Sequence, residues 1–259
     1  MGFTIKKKGA CKDELLAIEK GKHIISKISP EYKVLNGPFE GMKYPSINIT
    51  ELTLVPKIAG SYELQLMPTI IQILQTPYNN ILDIGCAEGY YAVGLAMKMP
   101  RTIVNCFDIN QKDLDFCKSM ASLNKASNLT YNNFCSPQTL LNFEYGHKSL
   151  IFCDCEGYEL ELFSPEVIEG LNSTDVLVEL HDVINPFISS SLLQRFKHSH
   201  DVTLLNNSNI NYSEMKGLEN ISPAEKAFAV YEHRGGLYQN VFMEWAFFTP
   251  KNNDNVNSD

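Results

Sequence analysis

Six acidic or imidazole side chains stand at or just after the ends of apolar stretches in this sequence. They are Asp83, Asp108, Asp154, Glu156, Glu179 and His181. An imidazole titrates near neutral pH, and carboxylates can take up protons or bind hard cations. If the fold brings these side chains together, the pattern predicts acid–base or metal-assisted chemistry.

The elements between these residues predict how they are positioned. From Asn80 onward, apolar strand-like stretches alternate with segments of helical periodicity, which favours a parallel sheet with helices on both faces. The predicted strands are 81–84, 102–107, 129–132, 149–153 and 176–180. Ligands of such sheets bind at the carboxyl ends of the strands. Two late strands, 202–205 and 241–248, have no crossover helix between them and therefore predict an antiparallel hairpin.

The segment Ile81-Leu82-Asp83-Ile84-Gly85-Cys86-Ala87-Glu88-Gly89 reads as a strand followed by a cofactor loop. A dinucleotide loop needs Gly-x-Gly-x-x-Gly, which brings a pyrophosphate against bare backbone. Only Gly85 and Gly89 are present here, and Glu88 would repel a phosphate. Asp83 and Glu88 suit S-adenosylmethionine better, since that cofactor is cationic and has no phosphate. Asp108, at the end of the next strand, is placed to accept hydrogen bonds from both ribose hydroxyls.

The first part of the chain lacks the alternating strand and helix pattern of the remainder. It contains amphipathic segments around Gly21, a turn or short hairpin within 32–44, and a helix candidate that begins near Pro68. We expect residues 1–76 to form an N-terminal helical and hairpin cap, 77–250 the cofactor-binding domain, and 251–259 a disordered polar tail.

Composition limits the class of protein. The chain has 259 residues, 44% of them hydrophobic, and a net charge of −8, which argues against bulk nucleic acid as the main partner. No stretch approaches the roughly 20 apolar residues that cross a bilayer. We therefore expect a soluble, cytoplasmic protein without a membrane or nucleic-acid partner. The seven cysteines are odd in number and mostly lie in apolar stretches, which is typical of buried thiols in a reducing compartment.

Taken together, these motifs resemble the FkbM-type branch of class I S-adenosylmethionine-dependent methyltransferases. The resemblance covers roughly residues 35–250. The glycine loop alone indicates only the cofactor class, whereas the Asp154-Cys155-Glu156-Gly157-Tyr158-Glu159 run points to the branch. Val178-Glu179-Leu180-His181 and the upstream Gly60-Ser61-Tyr62-Glu63 add to the likeness.

The resemblance implies a Rossmann-like class I methyltransferase sheet of seven strands with the last antiparallel. It also implies O-methylation of a small molecule, such as a sugar or secondary-metabolite hydroxyl. The residues it assigns to the cofactor are Asp83, Gly85, Cys86, Ala87, Glu88, Gly89, Asp108 and Ile109, with Tyr62 and Glu63 from the cap.

Two mechanisms are compatible with the residues at the fourth and fifth strand ends. In the first, His181 is the general base and Glu179 or Asp154 orients its ring. In the second, Asp154, Glu156, His181 and Asp182 hold Mg²⁺ or Mn²⁺, which lowers the pKa of a bound hydroxyl. The rival functions are a nucleotide-dependent oxidoreductase and a non-catalytic cofactor-binding scaffold. The sequence leaves the methyl acceptor and the oligomeric state open.

Overall fold

The computed structural model describes residues 12–45, 53–205, 215–231 and 244–251. The chain divides into two compact units. The first consists of residues 1–62 and 211–234, and the second of residues 63–210 and 235–259. The predicted tail, 251–259, lies outside the described residues except for Lys251. The predicted boundary at residue 76 stays a prediction.

From residue 80 onward, strands alternate with helices, as the sequence predicts. The helices are α1 (Lys12–Ile28), α2 (Leu54–Ala59), α3 (Met67–Gln75), α4 (Tyr90–Lys98), α5 (Gln111–Leu123), α6 (Pro137–Leu141), α7 (Glu159–Leu162), α8 (Pro165–Glu169), α9 (Ile188–Phe196) and α10 (Pro223–Val230). The strands are β1 (Asn80–Ile84), β2 (Ile103–Phe107), β3 (Leu129–Asn132), β4 (Ser149–Cys153), β5 (Thr174–Leu180), β6 (His200–Leu205) and β7 (Glu244–Pro250).

The second unit is built on one seven-stranded sheet with the order β3-β2-β1-β4-β5-β7-β6. The first five strands in this order pair in parallel, and β7 runs antiparallel to both β5 and β6. This is the sheet of class I methyltransferases, so the predicted fold class and the predicted late hairpin are confirmed. From β1 the chain adds β2 and β3 on one side of the sheet and then adds β4 on the other side of β1. In sheets of this kind, a ligand-binding crevice forms between the two strands at which the order switches, here at the ends of β1 and β4.

The central strands of this sheet are apolar because they are covered on both faces. All seven residues of β5 and all five of β4 are buried. Leu82, Ile151, Val178 and Phe248, from four neighbouring strands, belong to one hydrophobic cluster. This core fixes the strand ends from which the candidate site residues project.

In the first unit, α1 is a single continuous helix through Gly21, where the sequence predicts one or two short helices. A Cβ atom at Gly21 would lie 2.8 Å from Cγ2 of Val55, so glycine allows α1 and α2 to pack closely. In the predicted hairpin region, Lys33 and Lys43 form an antiparallel bridge. None of the helices in the described ranges has the length and apolar character needed to span a bilayer.

Candidate active site

The glycine loop joins β1 to α4 and lies against the end of β4. Gly85 has a φ of +83°, and a Cβ atom there would stand 1.7 Å from the carbonyl oxygen of Asp154. The backbone N–H of Asp154 donates to the carbonyl of Ile84 at 2.9 Å, which holds the two strand ends together. Glycine at position 85 therefore permits a turn that any side chain would block.

A cleft of about 400 Å³ opens at the ends of β1, β2 and β4. Its walls combine apolar and acidic side chains. The residues that line it are Ile84, Gly85, Ala87, Phe107, Asp108, Ile109, Asn133, Phe134, Cys135, Asp154, Cys155, Glu156 and Tyr158. Three of these residues are acids and none is lysine or arginine, so the cleft suits a cationic ligand better than a phosphate.

Asp108 lies in this cleft and is fixed by backbone donors. Its Oδ2 accepts a hydrogen bond from the N–H of Ala87 at 2.9 Å, and its Oδ1 accepts one from the N–H of Asn110 at 2.7 Å. The carboxylate thus ties the glycine loop to the start of α5. Its neighbour Ile109 is exposed at the mouth of the cleft.

Asp83 is placed beneath the loop rather than in the cleft wall. It is buried, and its Oδ2 has no hydrogen-bond partner among the described residues. Burial raises the pKa of Asp83 well above its ordinary value, and electrostatic interactions with Cys117, Asp108 and Glu88 raise it further. Cys86, Glu88 and Gly89 are likewise in the loop but outside the residues that line the cleft.

The two upstream residues expected to approach the cofactor fall in different units. Glu63 is buried in the second unit with a left-handed φ of +46°, and its Oε2 accepts a hydrogen bond from the hydroxyl of Tyr91 at 2.5 Å. Tyr62 belongs to the first unit, where the Nζ of Lys57 lies 4.8 Å from the centre of its ring. Their predicted role at the cofactor stays a prediction.

Four carboxylates surround the imidazole of His181 just after β5. The His181 Nδ1 lies 2.6 Å from Oε1 of Glu159. The opposite nitrogen, Nε2, lies 3.4 Å from Oε2 of Glu179, 3.5 Å from Oδ1 of Asp154 and 3.6 Å from Oε2 of Glu156. The predicted convergence of these strand ends is thus present in the structure. His181 is 1% exposed, whereas Asp154 and Glu156 line the cleft.

The charge of this cluster governs the protonation of His181. Burial acts to lower the pKa of the ring, but the hydrogen bond with Glu159 and the negative charges of Glu179, Glu159 and Glu156 outweigh it. The net result is a pKa of His181 above the ordinary 6.5. The carboxylates therefore stabilise the imidazolium form relative to that of a free imidazole.

Ligand atoms of Asp154, Glu156 and His181 all lie within 4.8 Å of one another and could surround a metal ion. Asp182, the fourth metal ligand predicted from the sequence, does not belong to this group. It is exposed, and its Oδ1 accepts a hydrogen bond from the backbone N–H of Ser189 at 2.8 Å near the start of α9. The structure thus brings together three of the four expected ligands.

Sequence reasoning missed Glu159 as the partner of His181. Glu159 is fully buried at the start of α7, and its Oε1 also accepts a hydrogen bond from the N–H of Gly157 at 3.1 Å. Sequence reasoning also missed the aromatic residues of the cleft wall after β3, where the ring centres of Phe134 and Tyr158 lie 5.5 Å apart. The signal for Glu159 in the sequence is its place at the acidic end of the 154–159 run.

Comparison with known families agrees with this geometry. Residues 67–144 match the sequence model of a family described as methyltransferase small domain. The matched segment begins with α3 and contains β1, the glycine loop and Asp108. No curated protein sequence matches the chain.

Several solved structures are similar at low identity. Precorrin-6y C5,15-methyltransferase from Geobacter metallireducens is 13% identical, with 73% of this chain and 88% of that chain covered and a TM-score of 0.46. An rRNA methylase from Streptococcus thermophilus is 9% identical, with 72% and 96% covered and a TM-score of 0.47. A geranyl diphosphate methyltransferase in complex with GPP and sinefungin is 10% identical, with 76% and 82% covered and a TM-score of 0.43. Because these scores lie under 0.5, we draw no conclusion about this chain from them.

The strand order is that of the class I methyltransferase fold, and residues 67–144 within it match the methyltransferase family model. The match supports methyltransferase activity for the chain. The acceptor of the methyl group is a separate question, which the chemistry of the cleft addresses.

Proposed function

We propose that this protein is an S-adenosylmethionine-dependent O-methyltransferase of the FkbM type that acts on a neutral hydroxyl-bearing small molecule, such as a saccharide. The observation that carries the proposal is the His181 cluster, whose Asp154 and Glu156 line the same cleft as the glycine loop and Asp108. Cofactor site and acid–base groups therefore share one cavity.

The residues of the cleft fit the cofactor. S-adenosylmethionine would supply an electrophilic methyl group on a sulfonium centre, and it carries no phosphate. The acids of the cleft complement its positive charges, and Asp108 stands where a ribose would be bound after β2. A dinucleotide would bring phosphates against Asp154, Glu156 and Asp108 without a lysine or arginine in the lining, which disfavours the oxidoreductase alternative.

The acid–base roles follow from exposure. Asp154 is 32% exposed at its side chain and lines the cleft, whereas His181 is 1% exposed behind it. We assign contact with the acceptor hydroxyl to Asp154, which would orient the attacking oxygen and receive its proton. His181 would hold Asp154 and Glu179 in place through its ring nitrogen Nε2, which lies 3.5 Å and 3.4 Å from their carboxylate oxygens. The direct role of His181 as the base, expected from the sequence, stays the alternative prediction.

The same cluster favours a neutral acceptor. Asp154, Glu156, Glu159 and Glu179 present four carboxylates to one imidazole, so a phosphate brought to this place would be repelled. Hydroxyl groups donate hydrogen bonds readily to carboxylates. A molecule with several hydroxyl groups would therefore complement this group of carboxylates. This argument and the net charge of −8 disfavour nucleic acid as the acceptor.

Calorimetry with S-adenosylmethionine, S-adenosylhomocysteine and NAD tests the cofactor assignment. We expect the first two to bind and NAD not to bind; binding of NAD alone would support an oxidoreductase. Transfer of labelled methyl groups is then measured with neutral monosaccharides, sugar phosphates and tRNA. The expected label appears on a neutral saccharide and disappears with Asp154→Asn, whereas label on tRNA alone would overturn the proposed acceptor class. Cofactor binding without transfer to any acceptor would favour the scaffold.

A further inference from the structure

Three cysteines from separate elements bring their sulfur atoms together beneath the glycine loop. Cys86 belongs to the loop, Cys106 to β2 and Cys117 to α5, and the three Sγ atoms all lie within 4.8 Å of one another. All three are buried, with exposures of 5%, 0% and 0%. Of the six cysteines in the described ranges, these are the ones that form a group of three.

Backbone geometry holds the group in place. Asp83 of β1 is the register partner of Cys106 in β2, so the two side chains stand next to each other on neighbouring strands. From the other side, a Cβ atom at Gly89 would lie 2.6 Å from the Sγ of Cys117. The sulfur of Cys117 therefore packs directly against the end of the loop. The three-thiol cluster is separate from the carboxylates around His181.

This arrangement fits a thiophilic metal ion. Soft thiolate ligands select ions such as Zn²⁺ and Cu⁺ over Mg²⁺ or Ca²⁺. With metal–sulfur bonds of about 2.3 Å, the sulfurs of a tetrahedral site stand about 3.8 Å apart. The observed limit of 4.8 Å means that each pair of sulfurs needs to close by at most about 1 Å.

We propose that Cys86, Cys106 and Cys117 form a binding site for one thiophilic d¹⁰ ion, Zn²⁺ or Cu⁺, beneath the cofactor loop. Binding would replace sulfur–hydrogen bonds by metal–sulfur bonds and release the thiol protons to solvent, with no change of oxidation state. The carboxylate of Asp83 stands beside the site as a further oxygen donor. The proposal goes beyond methyl transfer and does not depend on it.

Titration of the reduced protein with Cd²⁺ tests the site, because cadmium–thiolate bonds give an ultraviolet charge-transfer band. We expect saturation at one ion per chain, no competition from Mg²⁺, and loss of the band in Cys86→Ala, Cys106→Ala and Cys117→Ala. Cys153→Ala is the matched control. Its sulfur is also buried and lies 3.5 Å from that of Cys155, but it belongs to a pair and not to the group of three. A band that persists in Cys106→Ala, or one that disappears in Cys153→Ala, would overturn the assignment.

A second measurement uses the unaltered protein and so does not depend on whether the variants fold. The rate of alkylation of each cysteine is followed by mass spectrometry with and without Zn²⁺. Zinc should slow alkylation of Cys86, Cys106 and Cys117 at least tenfold and leave Cys135 and Cys153 unchanged. Equal protection of all five thiols would indicate general stabilisation, and the absence of protection would indicate no site; either result contradicts the proposal.

Discussion

The Nδ1 atom of His181 and the Oε1 atom of Glu159 lie 2.6 Å apart in the interior of the protein. The backbone N–H of Gly157 donates to the same oxygen, and this second hydrogen bond fixes the position of the Glu159 carboxylate. This contact fixes the ring so that Nε2 faces Asp154, Glu156 and Glu179. A buried charge-assisted hydrogen bond of this kind is strong because water does not compete for it.

The first prediction concerns the protonation of His181. Glu159→Gln should lower the pKa of the ring, because it removes the carboxylate that contributes most to raising that pKa. Titration of histidine ring signals by NMR measures the shift. Glu161→Gln is the control, since Glu161 is exposed on the same helix. An unchanged pKa of His181 in Glu159→Gln would contradict the electrostatic account.

The second prediction concerns Asp108 and cofactor affinity. Asp108→Ala removes the acceptor for the N–H groups of Ala87 and Asn110 and the carboxylate assigned to the ribose. Hydrogen bonds to charged groups contribute about 1.5–3 kcal/mol, so affinity for S-adenosylmethionine should fall about 10- to 150-fold by calorimetry. Asp115→Ala on the exposed side of α5 should bind normally. Equal affinity of the two variants would remove Asp108 from the site.

The sequence predicts the strands of the fold more completely than the contacts of the individual site residues. β3 and β4 have the predicted bounds. In β4 a short apolar stretch between turns defines a fully buried strand, whereas β3 is only partly buried. The convergence of Asp154 and His181 followed from the rule that parallel strands end at one edge. The contact of Glu159 with His181 could not be predicted from that rule, because Glu159 lies in a four-residue helix and not at a strand end. The position of Asp182 did not follow either, since a local hydrogen bond to Ser189 holds it.

The third prediction concerns Gly85. Gly85→Ala should abolish cofactor binding and strongly destabilise the second unit, because the new Cβ would overlap the carbonyl oxygen of Asp154. Gly41→Ala provides the comparison: its φ is +97°, but no atom lies within 4 Å of the added Cβ. It should therefore show only the backbone cost of about 1–2 kcal/mol. Urea unfolding followed by the fluorescence of buried Trp245 measures the second unit, and circular dichroism follows the whole chain. Similar losses in both variants would mean that the contact is unimportant.

The fourth prediction concerns the metal mechanism at Asp154, Glu156 and His181. An imidazolium has no lone pair for a metal, and the carboxylates raise the pKa of His181. We therefore expect turnover with a neutral saccharide to survive exhaustive chelation, while Asp154→Asn lowers it about 10²- to 10⁴-fold. A loss of turnover on chelation that Mg²⁺ or Mn²⁺ restores would instead establish the metal.

The fifth prediction concerns stability and pH. The folded state raises the pKa of His181 above 6.5, so the folded protein holds the proton more tightly than the unfolded chain. The stabilisation from the charged ring is therefore fully present below about pH 6.5 and is lost as the pH rises through the folded-state pKa. The free energy of unfolding of wild type relative to His181→Asn should fall from about pH 6.5 upward.

Urea unfolding measured at a series of pH values, with Trp245 as the probe, tests this fifth prediction within the second unit. His147→Asn is the matched control, because His147 is an exposed histidine of the same unit. The pH dependence attributed to His181 should persist in this control. Glu159→Gln should begin to lose the contribution of His181 at a lower pH than wild type, since it lowers the folded-state pKa toward that of the unfolded chain. A difference between wild type and His181→Asn that grows as the pH rises would show that His181 is held neutral, and Nε2 rather than Asp154 would then be the group able to accept the proton of the acceptor hydroxyl.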